Sequence, residues 1–364
     1  MNDSSHEYKL LAFGSNGSGQ LGIGHVEDVS SPHECQGSLT GSSAGVKQLG
    51  SGGNHTIALL NDGSIAAAGD NTDGRCMGSS LKELNTVWTE ERSAGPDYGL
   101  VNHIAATWSA TFAAAEDACY VSGSGTSGEL GLGPEVSFSE AIAKIERLIS
   151  PSDQIVKVAS SMGHVVVVLA SGDVWGWGRG RQGQLGAPAE IVSRPRKINN
   201  VPFKVIDAVC GKDFTCLFGD RSIGDFMILG LVRSDRFGVK KDAPDSVPGW
   251  KQVAASWGSI YVLMDSGKLL AWGRSDHGQL PPADIPLLEA IAAGSEHCLG
   301  LTRDGKVLVW GWGEHGNCGT PTDQNGDVKG RWNEIALSGT ASAIFAGCAT
   351  SFIVTAQRPH GSPS

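Results

Sequence analysis

The chain has 364 residues, with 28 Lys and Arg against 38 Asp and Glu, giving a formal net charge of −10. No basic block interrupts that acidity, which argues against direct binding to DNA or tRNA, because a nucleic-acid surface needs clustered cations to displace counterions. No apolar run approaches the roughly 20 residues that cross a bilayer, and the 51 glycines suit a chain with many turns between buried strands.

Met1 to Lys9 is polar and lacks a signal-peptide apolar core, so the expected location is the cytoplasm, with the nucleus as a second compartment. Leu10 to Phe13 reads as a strand that ends at Gly14 and enters the Gly-rich run to Gly22. Asn16 lies in that run, and His25, Glu27 and Asp28 follow on polar chain. This loop is either held by its own hydrogen bonds or is a partner contact, since loops on a rigid scaffold carry function.

The pattern is most complete in Ala159 to Asp173 and the following Trp175-Gly-Trp-Gly-Arg-Gly-Arg-Gln-Gly-Gln-Leu-Gly186. A β-branched run, Val165 to Leu169, meets the turn Ser171-Gly-Asp173 and a second strand, Val174 to Trp177, before a Gly-rich exit. The strand-ending glycine recurs at Gly14, Gly69, Gly123, Gly178, Gly230, Gly273 and Gly311, at intervals of 55, 54, 55, 52, 43 and 38 residues. Periods of this size mark propellers, solenoids and arrays, and the strand-rich texture selects a propeller.

The first half of the unit also appears seven times, from Leu49 to Leu59 through to Ala346 to Val354. The chain therefore starts on a second half and ends on a first half. Pairing the two in one blade closes a seven-bladed ring and removes its exposed edge. The expected organisation is an N-terminal extension over 1–9, a propeller over 10–357 and a disordered tail over 358–364.

Between the repeats, Pro134 to Asp153 places Ile142, Ile145, Leu148 and Ile149 at helical spacing, predicting a short amphipathic helix outside the ring. The unit around Gly219 to Asp225 lacks the Asp-Gly turn, has Leu229-Gly230 in place of Trp-Gly, and keeps enough apolar alternation for a blade. The eight cysteines include no Cys-x-x-Cys pair and read as core residues; Cys210 and Cys216 are the nearest two, expected on one face of a strand.

No nucleophile elbow, phosphate loop, metal-ligand cluster or paired-carboxylate signature occurs, so no enzyme, metal or cofactor is expected. His55, His164 and His297 share one repeat position, which favours structural hydrogen bonding over catalysis. One residue past the repeat glycine, the seven units carry Gly53, Trp108, Met162, Lys212, Trp257, Ser295 and Cys348. Trp108, Met162, Lys212 and Trp257 are large for a turn. They are either packing in the ring's channel or anchors of a binding face, where Trp is enriched among the residues that dominate interface energy.

Repeats reading Gly-x-x-His, Asp-Gly-x-Val and Trp-Gly-x-x-x-x-Gly-Gln-Leu-Gly resemble the regulator-of-chromosome-condensation family over about Leu10 to Thr355. Within that family, Ala12-Phe-Gly-Ser-Asn-Gly-Ser-Gly-Gln-Leu-Gly-Ile-Gly-His-Val-Glu-Asp28 and the propeller-only layout are similar to the branch of fungal alpha-tubulin suppressors, Elongator-linked killer-toxin-insensitivity factors. That resemblance implies a non-catalytic subunit in a heterodimer with a small CSL-type zinc-finger protein of the diphthamide pathway. It further implies support of Elongator-dependent wobble-uridine modification of tRNA, with Elongator itself an indirect partner. The alternative, exchange of guanine nucleotide on a Ran-like GTPase, belongs to the family's founder. The founder's chromatin attachment uses a basic terminal tail, from which Met1 to Lys9 departs.

Overall fold

The computed structural model describes residues 8–39, 45–77, 83–91, 100–116, 118–146, 148 and 153–356. Among these, every helix or strand element is a strand. The chain opens with β1 (Tyr8–Gly14) and β2 (Val29–Glu34). Blade 1 is β3 (Val46–Ser51), β4 (His55–Leu60), β5 (Ile65–Asp70) and β6 (Leu84–Glu91). Blade 2 is β7 (Val101–Ala106), β8 (Ala110–Ala115), β9 (Cys119–Ser124) and β10 (Phe138–Ile145), and blade 3 is β11 (Ile155–Ser161), β12 (His164–Leu169), β13 (Val174–Gly178) and β14 (Val192–Lys197). Blade 4 has β15 (Asp207–Cys210), β16 (Phe214–Phe218) and β17 (Phe226–Gly230), and blade 5 has β18 (Trp250–Ala255), β19 (Ser259–Met264) and β20 (Leu269–Gly273). Blade 6 is β21 (Leu288–Ala293), β22 (His297–Thr302), β23 (Val307–Trp312) and β24 (Asp327–Glu334), before β25 (Thr340–Ala346) and β26 (Thr350–Ala356).

Each blade is one antiparallel sheet, and the last two strands join the first two in the order β2-β1-β26-β25 as blade 7. β1 pairs with β26 from Tyr8 opposite Ala356 to Gly14 opposite Thr350, so the ring closes non-covalently as the repeat phase predicts. The strand begins at Tyr8, two residues before the expected propeller start. The expected disordered tail lies outside the described residues. The first strands β3, β7, β11, β15, β18, β21 and β25 touch one another in that cyclic order and line the centre.

Second strands such as His164–Leu169 are buried along their whole length because both faces are covered by neighbouring blades. The seven strand-ending glycines have φ between 102° and 116°, a region L side chains rarely adopt, and an added Cβ at each would collide with backbone of the adjoining turn. The two shortest intervals have a simple cause: blades 4 and 5 lack an outer strand.

The helix expected within Pro134 to Asp153 is not present over Phe138–Ile145, which is the outer strand of blade 2. A bulge between Ser139 and Ala143 interrupts its alternation. Ile142 packs against the core between blades 1 and 2, whereas Ile145 packs into the cluster of blades 2 to 4. Their three-residue spacing thus reflects opposite faces of a strand. Residues 147 and 149–152 lie outside the described part. Cys210 and Cys216 fall on adjacent strands, not on one, with Val209 opposite Cys216. Seven of the eight free cysteines are buried and Cys348 is half-buried.

Candidate protein-interaction face

In blade 1, His55 at the start of β4 pairs with Gly69 near the end of β5. The turn between the first two strands and the exit loop after the third therefore emerge at the same end of the blade. The same holds around the ring, so the turns carrying Trp108, Met162, Lys212 and Trp257 share a face with the loop carrying Asn16 to Asp28.

Neighbouring turns are joined by backbone hydrogen bonds. Gly53 N–H donates to Trp108 O (2.9 Å), Trp108 N–H to Met162 O (2.9 Å), Lys212 N–H to Trp257 O (2.9 Å), Trp257 N–H to Ser295 O (2.9 Å) and Ser295 N–H to Gly347 O (3.1 Å). The repeat position that sequence comparison singles out is thus the inner rim of the ring. Gly53 lacks a side chain where the Trp108 indole lies: a Cβ there would strike the ring.

Trp108 and Trp257, from blades 2 and 5, meet with ring centroids 6.2 Å apart and planes at 41°. They cap a central cavity of about 190 Å³ otherwise lined largely by small residues such as Gly50, Ala105, Ser160 and Ala293. Trp108 remains 41% exposed. Channel packing and surface display, set as alternatives by the sequence, are therefore combined in one side chain. Met162 is half-buried and Lys212 exposed.

The first exit loop divides the expected contacts. Asn16, expected at a partner surface, is 0% exposed. Its side chain donates to His25 O (2.8 Å) and accepts from Leu21 N–H (3.0 Å), which staples the loop from within. Asn71, at the same offset from its strand-ending glycine, accepts from Cys76 N–H in the same way (2.9 Å). That shared offset was the available signal that Asn16 is structural. His25 is half-buried against Glu27 (2.8 Å), whose side chain is 76% exposed. Asp28 accepts from Asn16 N–H (2.6 Å) and pairs with His315 of blade 6 (2.8 Å), bridging two blades.

The three repeat histidines are interblade clasps. His55 Nε2 lies 2.9 Å from Thr111 Oγ1, His164 Nε2 3.0 Å from Thr215 Oγ1, and His297 Nε2 2.9 Å from Ser351 Oγ. Burial pushes His55 and His164 down to about 3 and His297 to about 4; nearby Arg75 adds to the effect at His55. Each hydroxyl sits one place after the histidine position of the next unit. Where that position is Ala or Phe the partner is apolar, Val165 for Ala110 and Ile260 for Phe214.

A second cavity, about 410 Å³, opens on this face among blades 3 to 6 and is lined by Lys212, Arg236, Phe237, Trp257, Arg274 and Glu296 among others. Lys212 Nζ lies 5.6 Å from the Trp257 ring centroid, and the Arg236 and Arg274 guanidinium carbons lie 4.3 and 5.0 Å from that of Phe237. Arg274 is held by Asp276 (2.6 Å) and by Glu296, whose carboxyl is pushed up by burial. Of this groove only Lys212 and Trp257 stand out in the sequence, because Arg236, Phe237 and Arg274 lie in exit loops rather than at the aligned turn. Among the described residues, no group of three or more His, Cys, Asp and Glu could hold a metal ion.

The RCC1-like domain family matches residues 9–355. An RCC1 repeat-containing protein of Schizosaccharomyces pombe is 30% identical, over 95% of this chain and 98% of its own. The mouse secretion-regulating guanine nucleotide exchange factor is 26% identical over 74% of this chain, and the match spans 61% of that relative's length. Among solved structures, Prp20p of Saccharomyces cerevisiae superposes with a TM-score of 0.79 at 18% identity, covering 98% of this chain and 93% of its own. Human WBSCR16 does so with 0.80 at 16% identity, covering 97% and 100%. At those identities the shared property is the fold. With its seven closed blades and a family match over nearly its whole length, this chain belongs to the RCC1-like domain family.

Proposed function

We propose that this chain is a non-catalytic scaffold that holds a small CSL-type zinc-finger protein in a heterodimer, and thereby supports diphthamide biosynthesis and Elongator-dependent modification of wobble uridine in tRNA. The observation that carries the reading is the Trp108–Trp257 pair, an aromatic platform left partly exposed on a rigid rim. Such a platform anchors a protein partner at little entropic cost, and losing an anchor of this kind typically weakens binding by about 2 kcal/mol or more. The resemblance of the first repeat to the Elongator-linked branch supplies the partner's identity. In this reading the zinc belongs to the partner, Trp108, Met162, Lys212 and Trp257 form the contact, and His25, Glu27 and Asp28 extend it.

The test is native mass spectrometry of the chain co-expressed with the zinc-finger protein. A one-to-one complex that is lost in the Trp108→Ala/Trp257→Ala variant, at unchanged thermal stability, is the expected result; a complex of undiminished affinity removes this face from the interface.

A second reading, guanine-nucleotide exchange on a Ran-like GTPase, is favoured by the name of the mouse relative. Release of a fluorescent GDP analogue from the GTPase, accelerated by catalytic amounts of this chain, would establish it in place of the scaffold.

A further inference from the structure

Charge is unevenly distributed over the exit-loop face. The loops of blades 6, 7 and 1 carry Glu27, Asp28, Asp70, Asp73, Asp323 and Asp327, of which Asp70 and Asp73 share Arg75. The turns and loops of blades 3 and 4 carry Arg179, Arg181, Lys212, Arg233, Arg236 and Lys241. Much of the acid beside them is already committed. Asp213 pairs with Arg179 (3.6 Å), and the Asp235 carboxylate accepts from the backbone N–H groups of Val239 (2.8 Å), Lys240 (2.9 Å) and Lys241 (3.0 Å). Asp276 and Glu296 hold Arg274. Lys212 and Arg236 have no carboxylate partner among the described residues, and both line the 410 Å³ groove.

Each of these two cations lies over an aromatic ring, Lys212 over Trp257 and Arg236 over Phe237. The stacking fixes their stems before any ligand arrives, so little side-chain freedom remains to be lost on binding. Val232, 62% exposed, stands beside the groove, its N–H bonded to Gln182 O (3.1 Å). Cations held in place beside apolar surface match an anion that also presents a hydrophobic side chain.

We propose that this groove receives a short acidic segment of a protein partner, its carboxylates paired with Lys212 and Arg236 and an apolar side chain laid between Trp257 and Phe237. The proposal rests on the scaffold reading for its biological partner and specifies the chemistry of that partner's docking segment. A nucleic acid fits less well. Its affinity comes from neutralising many phosphates in succession, whereas the free cations here end at loops carrying Asp323 and Glu27, which would repel an extended polyanion. A peptide that concentrates its charge within a few residues avoids them, and the surrounding acid then acts against wrong registers.

The experiment is fluorescence anisotropy on the full chain with a short labelled peptide alternating glutamate and leucine. The counter-probes are its lysine–leucine counterpart and labelled oligothymidylate. The glutamate peptide is expected to bind, to weaken as salt rises, and to lose at least about tenfold in affinity in Lys212→Glu/Arg236→Glu. The charge-matched control Lys204→Glu/Lys268→Glu, on the opposite face, should bind as the parent does, and thermal melts confirm that both variants are folded. No binding of the glutamate peptide, or an equal loss in both double variants, overturns the proposal. Oligothymidylate binding as tightly as the peptide, and lost in the same groove variant, overturns it in favour of nucleic acid. The titration needs no zinc-finger protein. Absence of a heterodimer would therefore sink the scaffold reading while a positive titration keeps the groove, and a heterodimer without peptide binding would do the reverse.

Discussion

The exit loops of blade 7 and blade 4 solve one structural problem with different chemistry. Both leave a strand at a glycine of positive φ, Gly14 at 116° and Gly230 at 102°. Both are latched by an indole from the next blade, Trp88 Nε1 donating to Leu21 O (3.1 Å) and Trp272 Nε1 to Val239 O (2.9 Å). In blade 7 the inner staple is a neutral buried amide, Asn16. In blade 4 it is the carboxylate of Asp235, while Lys240 Nζ caps Gly230 O. The first loop follows the repeat and seals itself. The second departs from it, lacks an outer strand beside it, and borders the cationic groove. On the proposed reading, departure from the repeat, more than membership in it, marks the binding surface.

The strongest test of that equivalence is removal of the latches. Trp88→Ala and Trp272→Ala each delete a large buried ring and its hydrogen bond to a loop carbonyl, so each should lower stability by about 3–5 kcal/mol in urea denaturation. A cheap Trp272→Ala would show that the blade 4 loop is held in some other way. Trp108→Ala, at a site already 41% exposed, should cost under about 1 kcal/mol in the same measurement.

The clasps between blades give the next effect. A buried histidine whose folded pKa is depressed binds its proton more readily in the unfolded chain, so stability falls as pH drops below the unfolded value near 6.5 and the loss levels off below the folded value. With folded values of about 3 for His55 and His164 and about 4 for His297, each should remove about 2 kcal/mol by pH 5. Chemical denaturation from about pH 7.5 down to about pH 4.5, which spans the onset near 6.5 and the upper part of the fall, checks this. His164→Phe with Thr215→Ile rebuilds the blade 3–4 clasp in the apolar form used between blades 4 and 5. The variant's acid limb should be shallower than the parent's; an unchanged limb would move the proton uptake to other groups.

Ring closure, blade count and the strand-ending glycines were legible in the sequence because each follows from a repeated local requirement. The missing outer strands of blades 4 and 5 were also present, as intervals of 43 and 38 residues, though only a structure connects the shortening to a particular strand. Ile142 and Ile145 misled because both faces of their strand are covered, so apolar residues three apart need no helix. Asn16 misled because it was read within one loop, where an exposed polar residue and a buried staple look alike. The groove was the least legible part. Arg236, Phe237 and Arg274 come from two exit loops at different offsets from the repeat glycine, and only folding brings them beside Lys212 and Trp257.

The staples themselves should cost less than the latches. Asn16→Ala leaves the Leu21 N–H without its acceptor inside a closed loop and should lower stability by about 1–3 kcal/mol. Asp235→Ala removes the acceptor of three amides at a more accessible site, where water replaces part of what is lost, so a smaller decrease is expected. Urea titrations of the two variants decide the order, and a larger loss for Asp235→Ala would mean that blade 4 depends on its departure from the repeat as heavily as blade 7 depends on conformity.

The smallest effect belongs to Glu27. Its carboxylate lies 2.8 Å from a half-buried histidine but is 76% exposed, and a polar contact in that setting is screened and contributes under about 0.5 kcal/mol. Glu27→Ala should therefore leave the melting temperature in place, which makes it a clean probe of contact rather than of folding. If the blade 7 loop reaches the partner, the dissociation constant of the heterodimer rises in this variant, with the greater part of the change in the on-rate, as expected of a rim charge. If affinity and on-rate both match the parent, the loop that follows the repeat most faithfully is closed structure at Glu27 as well as at Asn16, and the binding surface contracts to the irregular side of the ring.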